Sequence, residues 1–261
     1  MISFTSAQIN VWIAAFVFPL VRILAFVAAA PVFNNAAVPR RIRLVIGLVL
    51  TFAIAPTVTS LPQVEPNSGV GLAILAQQVV IGLSLAFVMR LIFAGVSLAG
   101  ELMSFQMGLG FATMYDPLST SQTGVVAEMV TLCATMVFLA LNGHLLMIAT
   151  LAESFRAIPL VSPSVNAGVW LNMAELGGQV FAIGLLLSLP VLIALLITNL
   201  ALAILSRAAP QLNLMAIGFP ITLTVGLGLL GLTLPYMVPP LTRIFDDGIR
   251  LMLAVFLPVT R

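Results

Sequence analysis

The amino-acid sequence predicts an all-α fold, a multi-helix integral membrane or membrane-associated bundle. Three observations carry this. Of 261 residues, 61% are hydrophobic and only 7% charged, against about half and about a quarter in an ordinary soluble domain. The apolar residues fall into runs of about 20 or more, the length a helix needs to cross a hydrocarbon core. Short breaks rich in Pro, Asn, Ser and Gly separate the runs, and no charge-rich linker interrupts them. Ten basic and eight acidic side chains cannot cover the surface that a soluble fold of this size leaves in water. A free soluble monomer is therefore excluded. A disordered chain is excluded by the same balance, and the lone Cys133 excludes a disulfide scaffold.

Taken in order, the apolar segments are Ile9–Ala30, Ile42–Leu61, Gly69–Ser104, Val125–Leu151, Gly178–Ser206 and Asn213–Val238, followed by a shorter stretch, Leu241–Leu257. They are expected to form one domain, residues 1–261, without a fixed-period repeat. The breaks follow known punctuation: Pro31 with Asn34 and Asn35, then Pro62 to Gly69, then Ser162 to Gly168, then Pro210 to Asn213. Pro190 and Pro220 fall inside helical runs and are expected to kink them, which is tolerated at depth where neighbouring protein re-satisfies the freed carbonyls. The first ten residues lack a positively charged region, and Pro19 and Arg22 interrupt the first run, so that run is expected to be retained and not cleaved.

The net charge of +2 is carried by ten Arg and no Lys, too small an excess for a nucleic-acid binder. Arg40, Arg41 and Arg43 cluster between the first two segments, and the positive-inside rule places that loop in the cytoplasm. Six alternating spans would put Arg207 on the same side. Gly69–Ser104 does not fit a simple span: as one helix it runs to ~54 Å at 1.5 Å per residue, against a core about 30 Å thick.

Two helical faces are polar. Arg90, Ser97, Glu101 and Ser104 recur at i, i+7, i+11 and i+14, and Glu128, Thr131, Thr135 and Asn142 at i, i+3, i+7 and i+14. A charge at mid-bilayer costs at least ~2.5–3.5 kcal/mol, so it normally faces protein or a wet cavity. Arg90, Glu101, Glu128 and Asn142 are thus candidates for buried polar or inter-subunit positions, as a wall of a conduit or as a structural seam. Arg243 with Asp247 and Asp246 with Arg250 form i, i+4 pairs, expected to solvate one face of an interfacial C-terminal helix.

Between the polar faces lies an unusually apolar loop, residues 105–124. Phe105, Met107, Leu109, Phe111, Met114 and Tyr115 surround Gly108 and Gly110. Glycine gives such a loop backbone freedom, and methionine repacks into irregular space. Two readings stay open: a plug that seals a pore by dewetting, or a re-entrant loop buried for packing alone. Other chemistry is thin. His144 stands alone without metal-ligand spacing, and no G-x-S-x-G elbow, P-loop or H-E-x-x-H is present. No catalytic, cofactor or metal site is expected, and no enzyme. A small-solute secondary transporter would show inverted repeats with broken helices, and none is visible.

Three stretches carry a family resemblance: Gly108-Leu-Gly-Phe-Ala-Thr-Met-Tyr-Asp-Pro117, the run from Asn142-Gly-His-Leu-Leu to Leu160, and Arg207-Ala-Ala-Pro-Gln-Leu-Asn on to Thr222. In order and spacing the chain resembles the flagellar biosynthetic FliR family of type III export gates, and the injectisome counterpart is similar in plan. The resemblance implies a helical assembly with FliP-like and FliQ-like subunits around an export channel, and contact with FlhB-like and FlhA-like export components. It also implies passage of unfolded flagellar proteins and a place in the bacterial inner membrane at the flagellar basal body. In that family the apolar loop is a plug, which carries over here to residues 105–115, with Phe111 and Met114 the chief obstructions. The family further implies that many apolar helices sit among sister subunits above the bilayer plane. The stretch from Leu118 to Gly124 departs from the family wording, which leaves the outer half of the loop without a matched role.

Overall fold

The computed structural model describes residues 6–58, 62, 64–110, 124–161, 167–209 and 214–256. Among these the regular elements are helical: α1 (Ser6–Ala29), α2 (Arg40–Ile54), α3 (Gly69–Gln106), α4 (Val125–Ala140), α5 (Gly143–Ala157), α6 (Ala167–Ala208), α7 (Leu214–Thr233) and α8 (Val238–Ala254). Short 3-10 turns, Ala55–Thr57 and Leu234–Met237, follow α2 and precede α8. Most of these helices are apolar runs whose backbone groups bond within the segment, the arrangement that apolar surroundings demand; α2 opens on Arg40, Arg41 and Arg43, and α8 carries Arg243, Asp246, Asp247 and Arg250. Several threonines inside the runs satisfy their hydroxyls on their own helix, whereas the buried Thr131 hydroxyl has no partner among the described residues. Thr51 donates to the Gly47 carbonyl at 2.7 Å, Thr135 to Thr131 at 2.7 Å and Thr198 to Ala194 at 2.9 Å.

The helices depart from the expected segments at four places. α1 runs unbroken through Pro19 and Arg22. α2 stops at Ile54, where Pro56 starts the 3-10 turn. Its 15 residues extend only ~22 Å at 1.5 Å per residue, short of a ~30 Å core. The run 125–151 is two helices, because Asn142 takes a left-handed conformation (φ 55°) and its carbonyl begins α5. α6 starts at Ala167, ahead of Gly178, and carries Pro190 in its interior. By length and composition, Val11–Ala29, Gly69–Gln106, Gly168–Ala208 and Ile217–Ala254 can each cross a membrane, and α4 and α5 qualify only when taken together.

The described residues group into two compact units. The first draws on residues Met1–Arg90, Asn142–Leu176 and Asp246–Arg261, the second on Leu91–Leu141 and Gly177–Phe245. In the first, Phe18, Ile23 and Phe26 of α1 are buried with Ile81 and Leu85 of α3 and Met147 and Leu151 of α5. Phe16 and Phe52 stack with ring centroids 4.9 Å apart, joining α1 to α2. In the second, Phe93, Phe138 and Phe245 form an aromatic cluster with centroid separations of 5.0–5.5 Å. There Gly100 brings α3 against the backbone of α4: an added Cβ would collide with the Ala127 Cα. Small residues permit such approach between helices.

Large apolar side chains remain exposed over whole faces. Phe52 on α2 is 69% exposed, and Phe181, Leu186, Ile197, Leu200 and Ile204 line one side of α6. Faces this extensive are covered by lipid or by other subunits.

Candidate functional site

The second unit holds both roots of the apolar loop. α3 ends at Gln106 and is closed by Gly108, whose φ of 85° lies in the left-handed region that favours glycine. The Gly108 N–H donates to the Phe105 carbonyl at 3.0 Å and the Leu109 N–H to the Ser104 carbonyl at 3.1 Å. Together these bonds close the helix in a Schellman turn. Met107 is fully buried. Its carbonyl accepts from the Thr222 hydroxyl of α7 at 3.3 Å, and its side chain fills the space left by Gly226, where an added Cβ would stand 2.5 Å from Cγ. At the far root, the Gly124 N–H donates to Glu101 Oε1 at 3.0 Å. Gly124 caps α4, so the Glu101 carboxylate lies at the N-terminus of that helix, where the dipole favours negative charge. Both roots are therefore fixed on the last two turns of α3.

The expected plug residues divide accordingly. Met107 is a buried anchor, Leu109 is half-buried, and Phe105 is 64% exposed. Phe111, Met114 and Tyr115 lie outside the described residues. Among the polar stripe residues, Ser104 is buried, Ser97 and Glu101 are half-buried, and Arg90, Glu128 and Asn142 are exposed. Among the described residues Arg90 has no carboxylate partner, and the ion pair present is Glu153–Arg156 at 3.5 Å. The i, i+4 pairs expected on α8 are thus not closed, although Arg243, Asp246, Asp247 and Arg250 are all exposed as anticipated. Long flexible side chains in water gain little by pairing. His144 sits in the first turn of α5 with a buried Nδ1 that lacks a hydrogen-bond partner among the described residues.

One polar site was missed by the sequence reading, which used Arg22 only as a break in an apolar run. Arg22 is fully buried in the first unit. Its Nε donates to Gln78 Oε1 at 2.7 Å. One terminal nitrogen donates to the Ser154 carbonyl at 2.9 Å and hydroxyl at 3.2 Å, and the other to the Ile158 carbonyl at 2.9 Å. The guanidinium carbon lies 4.3 Å from the centroid of the Phe155 ring. Ser154 and Ile158 carry end carbonyls of α5, so the cation caps that helix at its negative pole. The signal was present: an ionisable residue within an apolar span marks a site and calls for a named partner, and Gln78 is an amide within the third span.

Long helices of which several are apolar enough to cross a membrane by length and composition define an all-α membrane protein. The family model described as bacterial export proteins, family 1, matches residues 13–248, and the chain belongs to that family. The flagellar biosynthetic protein FliR of Pectobacterium carotovorum subsp. carotovorum is 41% identical over 247 residues, covering 95% of this chain and 94% of that protein. FliR of Escherichia coli (strain K12) is 39% identical over 254 residues, covering 97% and 96%. FliR of Bacillus subtilis (strain 168) is 28% identical over 214 residues, covering 81% and 82%. The resemblance read from the three sequence stretches thus holds over nearly the whole chain.

Proposed function

We propose that this chain is a non-enzymatic subunit of the flagellar type III protein export gate, walling part of the channel through which unfolded flagellar proteins leave the cell. It acts in the bacterial inner membrane at the flagellar basal body, packed with FliP-like and FliQ-like subunits and served by FlhB-like and FlhA-like components. The observation that carries the reading is the double tether of the loop within a chain of this family. Met107 and Gly108 fix one root against α7, and Glu101 fixes the other at α4. A loop held at both ends on a rigid helix, and apolar in the roots and along residues 105–115, suits a stopper that displaces without unfolding its support. Dewetting by rings and thioethers would then block ions while the gate is closed.

Deletion of residues 109–115 tests this. The shortened chain is expected to co-purify with tagged FliP-like and FliQ-like neighbours at the wild-type intact mass ratio, and to raise ion conductance across the membrane. An assembled complex with conductance at the closed level would sink the plug. Failure to co-purify the neighbours, with the wild-type chain also isolated alone, would sink the gate itself.

A further inference from the structure

The first unit contains a cavity of about 550 Å³ between the end of α1, α3 and the start of α6, within the ~300–1,000 Å³ range of sites that accept organic ligands. Val80, Leu83, Phe87 and Arg90 line it from α3, and Trp170 and Met173 from α6. The α3 residues recur at i, i+3, i+7 and i+10, so they form one row about 15 Å long at 1.5 Å per residue. Apart from Ser84, which also lines the cavity, the row is apolar from Val80 to Phe87, and it ends in a guanidinium. Arg90 makes no hydrogen bond or ion pair among the described residues, although the group carries five donors in a planar fork.

A cation at one end of an apolar trough fits an amphiphile with an anionic head. We propose that this cavity holds an acyl chain of an anionic phospholipid, with the lipid phosphate on Arg90. The guanidinium fork matches phosphate oxygens, and basic pockets between membrane helices recognise such headgroups. The ring of Trp170 adds the amphipathic surface common where protein meets headgroup and acyl chain. A partner helix offering a carboxylate would satisfy the charge alone. The lipid satisfies the charge and the continuous apolar wall together. The site is independent of the plug, since it lies wholly in the other unit.

The test uses the full chain assembled with its co-purified subunits, delipidated in detergent and titrated with phosphatidylglycerol or phosphatidylcholine, with bound lipid and intact complex both read by native mass spectrometry. Wild type is expected to retain phosphatidylglycerol in preference to phosphatidylcholine. Arg90→Gln should bind it about fivefold less, the worth of one basic side chain facing an anionic headgroup, and Arg90→Lys should recover most of that loss. Ala174→Phe puts a ring on the cavity lining and should weaken both lipids with Arg90 intact. Wild type without preference for the anionic lipid, or Arg90→Gln binding it as wild type does, would overturn the proposal. So would Arg90→Gln that sheds a neighbouring subunit at unchanged lipid occupancy, since the partner of Arg90 would then be a carboxylate on that subunit. Because subunit mass is read in the same spectrum, loss of the gate assembly is distinguished from loss of lipid.

Discussion

Arg22 on α1 donates from Nε to Gln78 Oε1 on α3 at 2.7 Å, across 56 positions of sequence. The same guanidinium reaches the end of α5 through the Ser154 and Ile158 carbonyls. One side chain therefore joins three helices and supplies a donor to the Ile158 carbonyl at the end of α5, while the Ser154 carbonyl accepts from it in addition to the Ile158 N–H.

Arg22→Met keeps the apolar stem and removes the fork. It leaves Gln78 Oε1 buried without a donor and takes from the half-buried Ile158 carbonyl its side-chain partner, while the Ser154 carbonyl keeps the Ile158 N–H; each buried polar group left unpaired costs about 1–3 kcal/mol. The expected loss is about 3 kcal/mol or more, read as a lowered melting temperature of the detergent-solubilised complex and a lower steady-state level in membranes. Arg22→Lys should recover only part, because one ammonium cannot reach the divergent acceptors in a fixed geometry. A methionine variant as stable as wild type would show that water replaces the fork.

Gly82 faces the Arg22 carbonyl so closely that an added Cβ would collide with it. Gly82→Val should therefore separate α1 from α3 and cost about 1–3 kcal/mol, as overpacking does. Residues in one contact are non-additive, so the valine should cost less in an Arg22→Met background. Equal costs in both backgrounds, measured by thermal unfolding, would mean that the helix spacing and the polar network are uncoupled.

How much of this was legible beforehand depends on the range of the interaction. The length of α3 and the glycine at position 108 are local features, and hydrophobic period and turn chemistry expose them; the end of α2 was not legible, because Pro56 lies within the apolar run Ile42–Leu61 and turn chemistry sets the break at Pro62. The break at Asn142 was concealed, because one residue in a left-handed conformation leaves the apolar run from Val125 to Leu151 uninterrupted. The stripe from Arg90 to Ser104 lies within α3, whereas the one from Glu128 is cut at Asn142 between two helices, and the meaning of neither was readable: the Thr135 hydroxyl is satisfied by its own helix, whereas Glu101 serves a helix that begins 24 residues later. Arg22 was visible and its partners were not, since Gln78 and Ser154 are joined to it only by tertiary packing.

Glu101 offers a sharper separation of charge from hydrogen bonding. Glu101→Gln keeps an acceptor for the Gly124 N–H and loses the charge at the start of α4, a change of ~0.3–1 kcal/mol for a helix terminus. Glu101→Ala loses both and should cost ~1 kcal/mol or more, like other lost N-caps. Ion leak through the assembled gate is expected to rise with alanine and to remain near wild type with glutamine. An alanine variant that is as tight as wild type would remove Glu101 from the tether.

The opposite root depends on backbone conformation. Gly108 holds φ at 85°, and the Phe219 ring lies 3.1 Å from where a Cβ would stand. Gly108→Ala therefore adds a left-handed strain of roughly 1–2 kcal/mol and presses on α7 at the same point. Because the Thr222 bond to the Met107 carbonyl lies one residue away, the strain should free Met107 and loosen the loop, raising ion leak while the complex still assembles. Asn142→Gly is the matched control, since glycine adopts its φ of 55° without penalty and the residue takes no part in the hydrogen bonds that hold the loop roots. If both variants leaked equally, leak would report general loosening of the helices; if Gly108→Ala stayed tight, the rigid root would have no part in closing the gate.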